Sequence, residues 1–131
     1  NIDAAEVPDL VPVLAVLAAN SEGETTIKNV RRLRFKECDR LSAISEELAK
    51  IGVKIKAYEN ELKITGGGSY FGSEVSSHND HRIAMALAVM ASCVEGNITI
   101  LNSDCVKKSY PEFFKDYSLL GGVADVFDVG E

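Results

Sequence analysis

The sequence predicts an α/β domain in which helices pack on mixed sheets, and two observations carry that expectation. Helical and strand-like apolar spacings alternate along the chain. A segment also recurs after roughly 72 residues: Ala15–Ile27 reads AVLAANSEGETTI and Ala88–Ile100 reads AVMASCVEGNITI. At 131 residues the chain has the size of one domain, so the repeat predicts two duplicated units, approximately 1–66 and 70–131.

Asp9–Ala19 is an apolar run of helix formers, with Pro8 suited to an early helical position and Gly23 beyond its end. Thr25–Val30 is rich in β-branched residues and reads as a strand. Asp39–Ile51 is amphipathic: Leu41, Ile44, Leu48 and Ile51 recur at three- and four-residue steps, Glu46 and Glu47 are expected to face outward, and Gly52 stops the helix. Val53–Tyr58 and Leu62–Thr65 flank Glu59-Asn60 as a hairpin. The loop Gly66-Gly67-Gly68-Ser69 reads as a linker between repeats, because no Gly-Lys-Ser/Thr follows to make it a phosphate cradle. The second copy predicts a short strand near Phe71–Ser76, helix Asp80–Val94, strand Ile98–Leu101, helix Pro111–Leu120 and strand Val123–Val129.

The composition is that of a soluble globular protein, with 46% hydrophobic and 26% charged residues. The apolar runs Val11–Ala19 and Ile83–Val94 are shorter than the ~20 residues a membrane-spanning helix needs. Three unclustered cysteines, Cys38, Cys93 and Cys105, suit a reducing cytoplasm better than a disulfide scaffold. With 14 basic and 20 acidic residues the net charge is −6, which argues against nucleic acid as a partner. Yet Lys28, Arg31, Arg32, Arg34, Lys36 and Arg40 fall in one window, and cations concentrated on an acidic protein suit a small anionic ligand. A solvated, salt-bridged surface fits the same composition.

Arg34-Phe35-Lys36-Glu37-Cys38-Asp39-Arg40 lies at a strand-to-helix junction. Lys36 and Arg40 are four residues apart and would share a face of a helical turn. Arg40 can grip a carboxylate or phosphate through two parallel hydrogen bonds, Lys36 supplies a point charge, and Glu37 among them could move a proton. An Asp39 N-cap with exposed ion pairs accounts for the same spacing. Asn79-Asp80-His81-Arg82 opens the second helix, where Asp80 or Asn79 can cap and Arg82 adds a cation. His78 and His81 lack further ligands at metal spacing. Asp9 is the repeat counterpart of that helix start, and Lys108 takes the place of Lys36 in the second copy. The repeat thus brings Asp9, Lys36, Glu37, Arg40, Arg82 and Lys108 to equivalent ends of elements, which implies one anion-binding face.

At these residues the chain resembles the 5-enolpyruvylshikimate-3-phosphate synthase family. The motifs are Pro8-Asp9, Arg34–Leu41, Asn79-Asp80-His81-Arg82-Ile83-Ala84-Met85 and Lys108-Ser109-Tyr110-Pro111, in the family's order and over nearly the whole chain. The resemblance implies an inside-out α/β barrel domain of βαβαββ-type units, here the last two units without the opening strand. The remainder, including an N-terminal domain with its own phosphate-binding residues, would be further parts of the same protein. The implied reaction moves the enolpyruvyl group of phosphoenolpyruvate to the 5-hydroxyl of shikimate 3-phosphate and releases phosphate, without metal or organic cofactor.

The resemblance also implies roles. Asp9 would hold the shikimate hydroxyls and serve as base, Lys36 would lie by the same hydroxyls, and Glu37 would protonate the methylene carbon. Arg40 and Arg82 would bind the phosphoenolpyruvate carboxylate, and Lys108 its phosphate. Certain relatives carry an Asn where this chain has Arg32. The isolated chain is expected to be inactive, and self-association through surface that the full domain covers is expected. A non-catalytic anion-binding or structural domain is the alternative reading.

Overall fold

The structure, a computed structural model, describes residues 1–36, 38–94, 96–108 and 113. Within them the order of elements is strand β1 (Ile2–Asp3), helix α1 (Val11–Ala19), β2 (Gly23–Lys28), α2 (Arg40–Ile51), β3 (Lys54–Ala57), β4 (Glu61–Gly66), β5 (Glu74–Ser76), α3 (His81–Ala91) and β6 (Thr99–Leu101). Two 3-10 turns, Pro8–Leu10 and Arg31–Phe35, lie between them, and a third, Ser103–Lys108, follows β6. The α/β class and the mixed sheet are as expected. Glu37, the expected helix Pro111–Leu120 and the strand Val123–Val129 lie outside the described residues, apart from Phe113.

The first sheet runs β1-β2-β4-β3, with β1 parallel to β2 and the other neighbours antiparallel. Register follows the period-two pattern of the sequence. Ile2, Ile27, Leu62 and Ala57 form one row across all four strands, and Ile55 pairs with Ile64 beside it. Ile27, Leu62 and Ile64 are fully buried, whereas Lys28, Lys54 and Lys56 project from the exposed face. Each buried Ile or Leu of this kind contributes about 1.5–3 kcal/mol. A short strand that the sequence patterns did not suggest, β1, pairs in parallel with β2.

Helix α2 forms where the amphipathic pattern placed it. The Asp39 carboxylate accepts the Ser42 amide at 3.2 Å as N-cap, and Gly52 ends the helix at φ 109°. Leu41, Ile44, Leu48 and Ile51 are buried as expected. Glu47 is not outward-facing: it is 1% exposed, because β5 and the turn after it pack against that side of the helix and supply its partners. Helix α1 begins later than the sequence suggested, since Pro8, Asp9 and Leu10 form a 3-10 turn ahead of it. The strand expected at Phe71–Ser76 shortens to Glu74–Ser76; Phe71 instead donates its amide to Ile51 and stacks beside Gly52.

Strands β5 and β6 pair in parallel around α3, as β1 and β2 do around α1. Gly23 and Gly96 share a positive φ, as do Asn29 and Asn102, each pair 73 positions apart. Ile2 opposite Ile27 and Val75 opposite Ile100 keep the same separation. On that spacing Lys108 falls opposite Phe35, one place before Lys36. Helices α1 and α3 pack on each other, and α2 touches both α3 and β5.

Candidate active site

Three segments that lead into helices converge at one edge of this packing. Pro8–Leu10 brings Asp9, the segment after the 3-10 turn at Arg31–Phe35 brings Lys36, α2 starts with Arg40, and α3 starts behind Asp80 with Arg82 close by. Asp9 Oδ1 lies 3.0 Å from Arg40 Nη1 and 3.8 Å from Lys36 Nζ. Arg40 Nε donates to Asp80 Oδ2 at 2.7 Å, and the other Asp80 oxygen accepts the Arg82 amide at 2.9 Å as the N-cap of α3. Asp9, Lys36 and Arg40 are therefore brought together, and Arg82 is joined to them through Asp80.

Lys36 and Arg40 meet for a reason other than the one their spacing suggested. Lys36 is extended and precedes the helix, so the two side chains do not share a helical face; both reach the Asp9 carboxylate. Lys108 ends the 3-10 turn Ser103–Lys108, much as Lys36 follows the 3-10 turn Arg31–Phe35, and its side chain, like Glu37, lies outside what the structure describes.

Arg40 is 2% exposed and Asp80 is fully buried. Burial alone raises the pKa of the Asp80 carboxyl, but the Arg40 guanidinium and the Arg82 amide outweigh it and hold the group below the ordinary value. The same carboxylate acts on Cys38, whose Sγ sits 3.4 Å from Asp80 Oδ2. Burial and the Asp80 charge push the Cys38 thiol up to about 12. Arg34 bonds Asp39 at 2.9 Å and the Tyr58 carbonyl at 2.8 Å, so it braces the cap of α2. Among the described residues, the Arg82 guanidinium has no ion pair.

Sequence reasoning missed the role of Asp80 as the hub between Arg40 and α3. Its signal was its N-cap position, which accounts for one carboxylate oxygen and leaves the other for a cation. Among the described residues, Glu46, Glu47 and His78 bring one ligand atom each within 4.8 Å of one another. Both Glu47 oxygens are already engaged by Lys50, the Ser76 amide and His78, so the group is a hydrogen-bonded cluster and not a ready metal ligand set. Among the described residues no helix is long and apolar enough to cross a membrane.

The sequence pattern of the family described as EPSP synthase (3-phosphoshikimate 1-carboxyvinyltransferase) matches residues 1–117. A 3-phosphoshikimate 1-carboxyvinyltransferase of Clostridium perfringens is 52% identical over 122 residues, 93% of this chain and 29% of that relative. One from Clostridium novyi is 52% identical over 131 residues, 100% of this chain and 30% of that relative. The EPSP synthase of Acinetobacter baumannii superposes with a TM-score of 0.88 at 31% identity, covering 92% of this chain and 29% of that one. The chain thus spans about 30% of the length of the curated relatives it matches.

Proposed function

The chain belongs to the EPSP synthase family, and from that premise we propose that it forms one wall of the active site of a 3-phosphoshikimate 1-carboxyvinyltransferase. The observation that carries this reading is the meeting of Asp9, Lys36 and Arg40, joined through Asp80 to Arg82, within a chain of that family. The substrates are 3-phosphoshikimate and phosphoenolpyruvate. Complementary phosphate-binding groups come from further parts of the protein, and its setting is the cytoplasm.

The reaction needs an acid and a base. The 5-hydroxyl oxygen bonds to the central carbon of phosphoenolpyruvate while the methylene carbon gains a proton and the hydroxyl loses one. Elimination then removes phosphate and returns a methyl proton, which restores the double bond. In the proposed assignment Asp9 and Lys36 flank the shikimate hydroxyls, Asp9 is the base and Glu37 the acid. Arg40 and Arg82 hold the phosphoenolpyruvate carboxylate and Lys108 holds its phosphate. Charge developing in the adduct then faces fixed cations, the arrangement that lowers such barriers most. Since Arg40 is buried, a substrate carboxylate gains its Nη1 in place of Asp9, and that exchange frees the Asp9 carboxylate for the hydroxyl.

The architecture is read as two βαβαββ units, 1–66 and 70–131, of an inside-out α/β barrel. The paired positive-φ residues and the matching β1-β2 and β5-β6 registers support it.

Titration of the isotopically labelled chain by NMR tests the site. Phosphoenolpyruvate and 3-phosphoshikimate are expected to shift Asp9, Lys36, Arg40, Arg82 and Lys108, and silence at all five would sink the reading. The 131 residues alone are expected to release no phosphate; turnover near that of a complete enzyme would overturn that part.

A further inference from the structure

Glu47 and His78 stand outside the assignments above. Glu47 shares burial among the described charged residues with Arg40 and Asp80. Its carboxylate is fully engaged: Lys50 Nζ at 2.8 Å, the Ser76 amide at 2.8 Å and His78 Nε2 at 2.7 Å. Burial raises its pKa, yet these donors outweigh burial and hold it below the ordinary value. A well-packed apolar residue would anchor α2 about as firmly, so a buried carboxylate here suggests that its direction matters.

Two of its partners, Ser76 and His78, begin the turn that ends at Asp80. His78 and Asn79 are consecutive non-glycine residues at φ 54° and 57°. A left-handed residue of this kind costs roughly 1–2 kcal/mol and persists where its surroundings over-determine it. The turn is bonded from within by His78 N–H to Ser76 Oγ at 3.1 Å, Asn79 N–H to Ser77 Oγ at 3.0 Å and Asp80 N–H to the Ser77 carbonyl at 3.0 Å. From outside, Glu47 ties its first residues to α2. Helix α2 therefore meets the turn twice, through Arg40 on Asp80 and, about 10 Å along its axis at 1.5 Å per residue, through Glu47. One contact leaves a helix free to pivot; two fix its rotation and its height.

We infer that Glu47 and His78 are positioning residues, which hold the turn 76–80 against α2 so that Asp80 presents Arg40 and Arg82 at the spacing one carboxylate needs. The inference rests on the carboxyvinyltransferase reading of the site, and neither residue touches substrate in it. It predicts an effect confined to the ligand that Arg40 and Arg82 share.

The test uses the full-length enzyme that carries this segment. Glu47→Ala is expected to raise the KM for phosphoenolpyruvate at least about tenfold while the KM for 3-phosphoshikimate and kcat change less than about threefold. Glu47→Gln keeps an acceptor for the Ser76 amide and is expected to recover most of the loss. His78→Ala is expected to follow Glu47→Ala in direction; as His78 is partly exposed, it serves if the Glu47 variant does not fold. Unchanged KM for phosphoenolpyruvate in a folded variant, or an equal rise for both substrates, would overturn the inference. If the parent enzyme shows no carboxyvinyl transfer, the functional reading fails, and the Arg40 Nε–H resonance still decides the positioning. That resonance is expected to move in Glu47→Ala and in His78→Ala, and an unmoved signal counts against the inference.

Discussion

Arg40 and Asp80 lie 40 residues apart in the chain and meet with both side chains buried, Nε to Oδ2 at 2.7 Å. Each is also the first turn or cap of a helix: Arg40 opens α2 and Asp80 caps α3. One ion pair therefore joins the starts of two helices and sets the distance between the cations they carry.

Removing Asp80 takes from buried Arg40 the partner of its Nε and from α3 its cap, while Asp9 stays on Arg40 Nη1. Asp80→Ala is expected to destabilise the fold by about 3–5 kcal/mol in urea denaturation. Replacing the pair together, with Arg40→Met and Asp80→Leu, is expected to recover most of that loss. A double variant as unstable as the single one would show that the pair itself, and not the loss of one partner, carries the stability.

Acid removes the same contribution. The Asp80 and Glu47 carboxyls are held below their ordinary values in the folded chain, so the unfolded chain binds protons first as pH falls. Their stabilisation is fully present above the ordinary carboxylate range near 4 and is lost as pH drops through the lower folded values. Unfolding free energy is expected to be flat from pH 7 to about 5 and to fall below that. Asp80→Asn is expected to flatten the fall, and an unchanged slope in that variant would contradict the assignment.

Cys38 sits beside the site yet is expected to be chemically quiet. With its thiol pushed up to about 12 by burial and the Asp80 charge, about one molecule in ten thousand is thiolate at pH 8. Iodoacetamide followed by mass spectrometry is expected to label exposed Cys93 and to spare Cys38. Relief of the Asp80 charge by Asp80→Asn is expected to raise Cys38 labelling; equal labelling of Cys38 and Cys93 in the parent chain would refute the account.

The α2 helix was readable because its apolar spacing, Asp39 cap and Gly52 stop are all local signals, and the structure keeps each of them. The hairpin of β3 and β4 was readable for the same reason. Glu47 was not, since its outward position on the helical wheel is correct only until β5 arrives, and the β5 contact is a tertiary event. The short β1 was missed because two residues carry no periodicity; its pairing with β2 defines it. At the site, residue types at Asp9, Lys36, Arg40 and Arg82 signalled anion chemistry, but the Asp80 link between them depends on how α2 and α3 pack.

Gly66 shows the same limit. Its place in a glycine run suggested a linker, yet it ends β4 under the C-terminus of α1. A Cβ there would collide with the backbone carbonyls of Ala18 and Ser21, which cannot move as a side chain can. Gly66→Ala is expected to cost about 3 kcal/mol, whereas Gly68→Ala, which meets the Tyr70 ring, is expected to cost less. Thermal melts of the two variants check the order, and equal losses would return Gly66 to the role of linker.

Arg40 and Arg82 share a proposed ligand but differ in what else depends on them. Arg40 is buried and paired with Asp80 and Asp9, so Arg40→Ala strands Asp80 and is expected to lower stability and anion affinity together. Among the described residues the Arg82 guanidinium has no ion pair. Arg82→Ala is therefore expected to leave stability within about 0.5 kcal/mol while it weakens phosphoenolpyruvate binding roughly tenfold or more, the worth of a charge-assisted hydrogen bond. Arg82→Lys keeps the charge without the planar fork and is expected to fall between the two. Calorimetric titration alongside urea denaturation separates the effects. If Arg82→Ala destabilises the chain as much as Arg40→Ala does, Arg82 is a structural cation and the carboxylate site loses one of its two arms.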